Sequence, residues 1–297
     1  MNTKKLILSE TAKIFKKRPG VSHKGVFGTV NAVVGCSRYR GAATLSVMGA
    51  LRAGAGIVRL CSTEKVCAAV TAHYPSATLL PLPENGMGYL SSDATTEILN
   101  VMKQSDILLI GCGLGQCADT ANAVNRLIFS SECGKVIDAD ALNLLCATGA
   151  LTEAKKTGAL KGTVITPHIG EASRLTEKAV DYISFNMEEI ASLLSREYGC
   201  VTVLKSHRTV IALPNNDTVW ISELGNAGLA RGGSGDVLAG LIAGFLAQGY
   251  TEEESALLGV AVHGSAADIC ANERSMQAML PSDLGEYICR VLKELEK

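Results

Sequence analysis

NAGLARGGSGDVLAGLIAGFLAQG, residues 226–249, gathers seven glycines around a single acid and runs into an apolar segment where Asp236 is the only charge after Arg231. A carboxylate in the first turn of an apolar helix has a simple explanation, because the unpaired N–H groups and the helix dipole both favour negative charge there. On that reading Ser234 or Asp236 is a cap. The glycines are harder to explain. Gly232, Gly233 and Gly235 each cost conformational entropy, tolerated where φ must be positive or where something approaches the backbone closely. Bare N–H groups at a helix start form an anion site, and an acid inside it can act as a base on whatever attacks a bound phosphate.

Upstream, the chain alternates. TVNAVVG, GIVRLCS, ATLLPL, DILLI, KVIDAD, GTVITPH and CVTVLKS read as strands, and the segments between several of them have helical period. The N-terminal stretch reads as a polar helix. RTVIAL and DTVWIS, joined by PNN, read as an antiparallel hairpin at the edge of an otherwise parallel sheet. After Asp236 the chain is helical. Repeated strand–helix units predict an α/β fold, a single three-layer domain spanning 1–297 with helices on both faces of the sheet. Working residues of such a sheet sit in the turns after the strand C-termini. Here those turns are GCSRYRG, GCGLG, DADALN, TPHIGE, KSHRT and ARGGSGD, which is where polar and glycine-rich residues concentrate.

Composition agrees with an α/β enzyme: 297 residues, 47% hydrophobic but 4% aromatic, so the core is aliphatic. The net charge of −1 gives no reason to expect nucleic acid or an acidic membrane. Lys4, Lys5, Lys13, Lys16, Lys17, Arg18 and Lys24 cluster near the N-terminus as a solvated face. No signal-peptide core is visible, and the apolar run 237–247 is too short to span a bilayer. Ten cysteines lie singly in apolar contexts without a CxxC pair, as expected of reduced core residues in a cytoplasmic protein. The five histidines make no metal-ligand pattern.

GCGLG after DILLI invites a dinucleotide-binding reading, but Gln116 stands at the third-glycine position and the unit lies in mid-chain. A turn whose bare backbone lines a pocket fits better. Asp138 and Asp140 either both face a cleft, as i and i+2 do on a strand, or one caps the next helix. His168 is either a core histidine or a functional loop residue. Lys205, with His207 and Arg208, is either a solvated hairpin or a nucleotide contact.

In order, SHKG, the GAA of residues 41–43, VIDADALNLL, TPHIGE and GNAGLARGGSGDVLAGLIAG resemble the ADP-dependent NAD(P)H-hydrate dehydratase family, from Ser22 to the last helix. The resemblance implies a ribokinase-like fold and a lyase that repairs the S epimer of hydrated NADH or NADPH. The C6 hydroxyl is phosphorylated by ADP and the phosphate eliminated, giving NAD(P)H, AMP and phosphate, with Mg2+ as the usual metal. It implies Asp236 as the base and the amides of Gly233, Ser234 and Gly235 as the phosphoryl cradle. Ala42 or Ala43, Gly113, His168 and Asp236 match hydrate-binding positions. Lys205, Ser206, His207, Arg208, Thr209 and Gly235 match nucleotide-binding positions. No protein ligand for the metal is implied. A homotetramer and a separate epimerase protein are further expectations of the resemblance.

The chain departs from the family pattern at Ser234 for the usual Thr, Ile169 for Pro, Val26 for an acid, and Ser206-His207-Arg208 where Gly usually follows the lysine. The competing readings are a ribokinase-like kinase of a small alcohol, such as the hydroxyethylthiazole kinases, and a nucleotide-binding sensor without catalysis.

Overall fold

The computed structural model describes residues 2–104 and 106–297; Met1 and Ser105 lie outside the described residues. Ten strands form one sheet: β1 (Asn2–Leu6), β2 (Thr29–Val33), β3 (Ile57–Thr63), β4 (Thr78–Leu82), β5 (Ile107–Ile110), β6 (Gly134–Ile137), β7 (Thr163–Ile165), β8 (Val201–Leu204), β9 (Thr209–Ala212) and β10 (Thr218–Ser222). Their order is β1-β10-β9-β8-β7-β6-β5-β2-β3-β4, and only β9 runs against its neighbours.

Successive strand residues feed opposite layers, as period-two geometry requires. Leu108 and Ile110 pack beneath the helices of residues 94–198, while Ile107 and Leu109 pack beneath Arg40–Ala53, Ser234–Ala247 and Glu252–Glu273. The predicted three layers are therefore present. Helices Ala94–Val101, Ala150–Thr157 and Val180–Phe185 are additional elements that the strand–helix alternation left unmarked.

The N-terminus differs from expectation. Residues 2–6 form β1, parallel to β10, followed by the short helix Leu8–Ala12. The β9–β10 hairpin consequently lies one strand in from the edge. Period-two reading failed here because four of the five β1 residues are exposed, and the strand shows no apolar face. Its lysines suit an edge, where charge discourages pairing with another chain.

From β2 the chain moves outward through β3 and β4, then returns to lay β5 on the other side of β2. This reversal opens a crevice at the strand C-termini. Its two walls are joined by backbone: the Gly35 N–H donates to the Cys112 carbonyl at 2.8 Å, and the Gly111 N–H to the Val33 carbonyl at 3.3 Å.

Beneath the crevice, helices Arg40–Ala53 and Ser234–Ala247 cross with backbones nearly touching. A Cβ on Gly240 would lie 2.1 Å from the Ser46 carbonyl oxygen, and one on Gly49 would lie 2.4 Å from that of Val237. On Gly244 it would meet Ala53 Cβ at 2.6 Å. Interaxial distance depends on the side chains at the crossing, and glycine gives the closest approach.

Gly240→Ala tests this constraint. Alanine gains about 1 kcal/mol of helix propensity, but its methyl meets backbone that has no rotamer to shift, and overpacking costs about 1–3 kcal/mol. The thermal midpoint should fall by several degrees. Gly41→Ala, exposed and with open space at its Cβ position, should leave the midpoint unchanged or raise it.

Candidate active site

β6 ends at Ile137, so Asp138 and Asp140 are not strand neighbours on one face. Between them Ala139 holds φ at +49°, a conformation uncommon for a residue with a Cβ. The two acids consequently diverge. Asp140 accepts from the Gly115 N–H at 2.8 Å and Gln116 Nε2 at 2.9 Å, and thereby holds the GCGLG turn. Asp138 is 1% exposed and faces the crevice.

Asp138 collects its partners from the ends of three other strands. Its Oδ1 accepts from Lys205 Nζ, after β8, at 2.6 Å and from Thr166 Oγ1, after β7, at 2.7 Å. The Cys112 thiol, after β5, donates to Oδ2 at 3.6 Å. Lys205 is fixed through its backbone as well, because its N–H donates to the Pro167 carbonyl at 2.8 Å. Burial opposes the lysine charge, yet Asp138 and Glu171 outweigh it and hold the lysine pKa above its ordinary value.

The glycine box meets this cluster from the other side. Gly233, with φ at +102°, starts the helix Ser234–Ala247, and Asp236 stands in its first turn without a side-chain capping bond. A working cap is visible elsewhere in the chain, where Thr251 Oγ1 accepts from the Glu254 N–H at 3.1 Å. Asp236 instead turns toward the cluster: its carboxylate, that of Asp138 and the Cys112 sulfur all lie within 4.8 Å of one another. Burial pushes the Asp236 pKa up to about 7; Asp138 adds to the rise, while Lys205 and the Cys112 thiol oppose it. The same burial, with the two carboxylates, raises the Cys112 thiol well above its usual range, so it stays protonated as a donor.

The Ser234 amide donates to the Arg231 carbonyl at 3.2 Å, so it is not free to hold a ligand as expected. Those of Gly233, Gly235 and Asp236 have no acceptor among the described residues, and neither does the buried Ser234 hydroxyl. A Cβ on Gly235 would come 3.3 Å from Lys205 Nζ. Free amides, a hydroxyl and an ammonium beside a carboxylate of pKa about 7 make an anion cradle next to a base.

The remaining expected residues divide. Gly113 abuts Ala42, since a Cβ on it would lie 2.6 Å from Ala42 Cβ, whereas Ala43 is fully buried against Gly35. Of the two alanines, Ala42 is the one available. His168 caps the helix Ile169–Thr176: its Nδ1 accepts from the Gly170 and Glu171 amides, and Glu171 Oε2 accepts from the His168 N–H. Burial, with Lys205 and Arg174, lowers the His168 pKa. Its side chain remains about half exposed and adjoins Lys205 through the β7–β8 bridge. Ser206, His207 and Arg208 form the β8–β9 turn, leading into Thr209, the first residue of β9. Arg208 is paired with Glu188 at 2.7 Å, and Ser206 Oγ lies 3.1 Å from His207 Nδ1.

Sequence reasoning singled out Asp138 without assigning it to the site, and missed Cys112 and Thr166. Position in GCGLG and TPHIGE was the only available signal for Cys112 and Thr166. Two surface clefts, of about 350 and 700 Å³, share no residue with this cluster.

A family model described as NAD(P)H-hydrate dehydratase matches residues 30–290. The chain belongs to the NAD(P)H-hydrate dehydratase family. It is 35% identical over 268 residues to the ADP-dependent (S)-NAD(P)H-hydrate dehydratase of Neisseria meningitidis, covering 90% of this chain and 85% of that protein. It is 38% identical over 281 residues to the bifunctional NAD(P)H-hydrate repair enzyme of Moorella thermoacetica, covering 95% of this chain but 52% of that enzyme. The chain thus spans about half the length of such bifunctional relatives.

The fold matches the ADP/ATP-dependent NAD(P)H-hydrate dehydratase of Bacillus subtilis, co-crystallised with ATP/Mg2+, with a TM-score of 0.82 and 27% identity over all of both chains. It also matches a ribokinase-like superfamily protein of Enterococcus faecalis with a TM-score of 0.84 and 26% identity, over 99% of this chain and 97% of that one. A hydroxyethylthiazole kinase of Pyrococcus horikoshii, 11% identical with a TM-score of 0.59 over 96% of this chain and 94% of that one, shares the fold alone.

Cys112, Asp138 and Asp236 do not suit Mg2+ as a resident ion. Magnesium demands oxygen ligands in near-octahedral array, but one donor here is a protonated thiol and Asp138 already holds an ammonium at 2.6 Å.

The Asp236 shift makes a stability prediction. Unfolded, the group titrates near its ordinary value of 3.8; folded, at about 7. The folded chain thus keeps a proton that the unfolded chain releases, so its favourable contribution is complete below 3.8, lost as pH rises to about 7, and absent above. Asp236→Asn, which cannot ionise, should gain stability relative to the parent between pH 5 and 8 in urea unfolding, with no further gain at pH 9.

Proposed function

We propose that this chain dehydrates the S epimer of NADH or NADPH hydrate at the expense of ADP, releasing NAD(P)H, AMP and phosphate. The observation that carries the proposal is the partly buried Asp236 carboxylate beside free amides and the Lys205 ammonium, in a chain of this family. In the first step Asp236 takes the C6 hydroxyl proton as that oxygen attacks the terminal phosphorus of ADP, and AMP leaves. The amides of Gly233, Gly235 and Asp236, with the Ser234 hydroxyl, receive the charge that builds on the transferring group. In the second step the C6–O bond breaks, phosphate departs, and the neighbouring ring carbon loses a proton to restore the double bond. A carboxylate of pKa about 7 suits a general base near neutral pH. No carboxylate of this cluster would be needed to hold magnesium, which would enter bound to the nucleotide's own phosphates and offset part of their charge.

Ala42, Gly113 and His168 are assigned to the hydrate, with Asp236 between it and the phosphate. Lys205, Ser206, His207, Arg208 and Thr209 are assigned to the nucleotide, with Gly235 beneath its phosphate. Residues 1–297 act as one domain. We further propose a cytoplasmic homotetramer served by a separate epimerase. Exposed Val180, Tyr182 and Phe185 supply apolar surface for assembly.

The direct test is recovery of absorbance at 340 nm when ADP and magnesium are added to the hydrate, since the restored dihydronicotinamide absorbs there. No recovery, or phosphorylation of a thiazole alcohol by ATP, would refute the assignment. Asp236→Asn should lower kcat by roughly 10² to 10⁴, the range for a lost general base, while ADP still binds. A variant keeping more than about a tenth of the parent kcat would rule out the base assignment. ADP should also give a higher kcat/KM than ATP; equal values would overturn that preference.

A further inference from the structure

The loop that delivers the glycine box, residues 224–233, is clamped to the helix Glu252–Glu273 by one acid. Asp268 Oδ2 accepts from the Gly225 N–H at 2.9 Å and its Oδ1 from Asn226 Nδ2 at 3.0 Å, while Asn226 Oδ1 accepts from the Gly228 N–H at 2.9 Å. The tie runs on through the main chain. The Leu229 N–H donates to the Asn226 carbonyl at 3.0 Å, the Arg231 N–H to the Leu229 carbonyl at 2.7 Å, and the Ser234 N–H to the Arg231 carbonyl at 3.2 Å. Successive hydrogen bonds thus join Asp268 to Ser234, the first residue of the helix that carries Asp236. Glycines let the loop sit directly on its support: a Cβ on Gly264 would lie 2.7 Å from the Leu224 carbonyl, and one on Gly225 3.5 Å from Gly264 Cα. Among the described residues, no hydrogen bond joins this loop to Asp138 or Lys205.

We infer that Asp268 is a positioning residue: through Asn226 it fixes the loop ahead of the helix Ser234–Ala247, and so aims the free Gly233 amide and the Ser234 hydroxyl at the terminal phosphate of the nucleotide. Gly233, at a φ of +102°, has no Cβ to limit its torsions, so the direction of its amide is set by what is held on either side of it. On the far side the helix is held by its glycine crossing with Arg40–Ala53. On the near side the hold is the ladder that starts at Asp268. Its first rungs are strong for their kind, because a carboxylate acceptor makes shorter and firmer hydrogen bonds than a neutral one. Asn226 then converts that hold into backbone geometry, since an asparagine that bonds the N–H two residues on fixes a turn. Loosening such a support is expensive, because a misplacement of about 1 Å can cost about 10²-fold in rate. This inference rests on the phosphate-cradle reading of residues 233–236.

The experiment exchanges the two clamp residues and compares ADP with AMP, which differ by the phosphate that the cradle would take. Asn226→Asp sets two carboxylates against each other, and Asp268→Asn sets two amide donors against each other, so either one alone opens the clamp. The double variant closes it again with the polarity reversed, because the amide then stands on the helix and the carboxylate on the loop. In calorimetric titrations each single variant should weaken ADP binding about tenfold and leave AMP affinity within about twofold, and the double variant should recover ADP affinity to within about threefold of the parent. Should one single variant not fold, the other supplies the open clamp in the same cycle. Equal loss of ADP and AMP affinity would mean a merely structural role and overturn the inference, as would unchanged ADP affinity in the single variants or a double variant no better than they are. These titrations need no hydrate, so a failed 340 nm assay with an intact ADP–AMP contrast would refute the dehydratase reading alone.

Discussion

The buried pair of Lys205 and Asp138 is the interaction on which the site depends. A carboxylate 1% exposed has lost its water, and removing the partner of such a buried charge typically costs about 3–5 kcal/mol. Satisfying Asp138 therefore obliges the ends of β5, β6, β7 and β8 to converge, because Cys112, Thr166 and Lys205 each come from a different strand. Once Lys205 is fixed, its ammonium crowds the position a Cβ on Gly235 would take, at 3.3 Å. The same ammonium restrains the rise in the Asp236 pKa. One ion pair thus organises the sheet's working edge and moderates the acidity that burial gives the proposed base.

Much of this was legible in the sequence, for a local reason. Strand-ending turns rich in Gly, Asp and His announce themselves within six or seven residues, so GCGLG, DADALN, TPHIGE and the glycine box were all marked as one working edge. The ambiguity at Asp138 and Asp140 was also local, but its resolution was not. It turned on a positive φ at Ala139 and on the Gly115 and Gln116 partners of Asp140, and neither leaves a trace in residue type.

What stayed hidden is long-range or lacks periodicity. Cys112 reads as an apolar residue until Asp138 is placed 3.6 Å away. β1 escaped notice because an edge strand of lysines has no apolar face to display, and its pairing with β10 joins residues more than two hundred positions apart. Setting aside the cap reading of Asp236 likewise needed coordinates: the cap position belongs to Gly233, and the carboxylate makes no capping bond.

The glycine crossing of the two helices has a consequence for how this scaffold can change. Where main chain rests on main chain, as Gly240 does on Ser46 and Gly49 on Val237, no torsion is available to absorb a neighbour's substitution. The helix that carries Asp236 is then a datum, a fixed reference from which the rest of the crevice is measured. The opposite wall is built of turns such as residues 36–39 and 206–208, held largely by exposed or partly exposed side chains. Substitutions can accumulate there without displacing the carboxylate, so the scaffold couples one rigid wall to one that tolerates change.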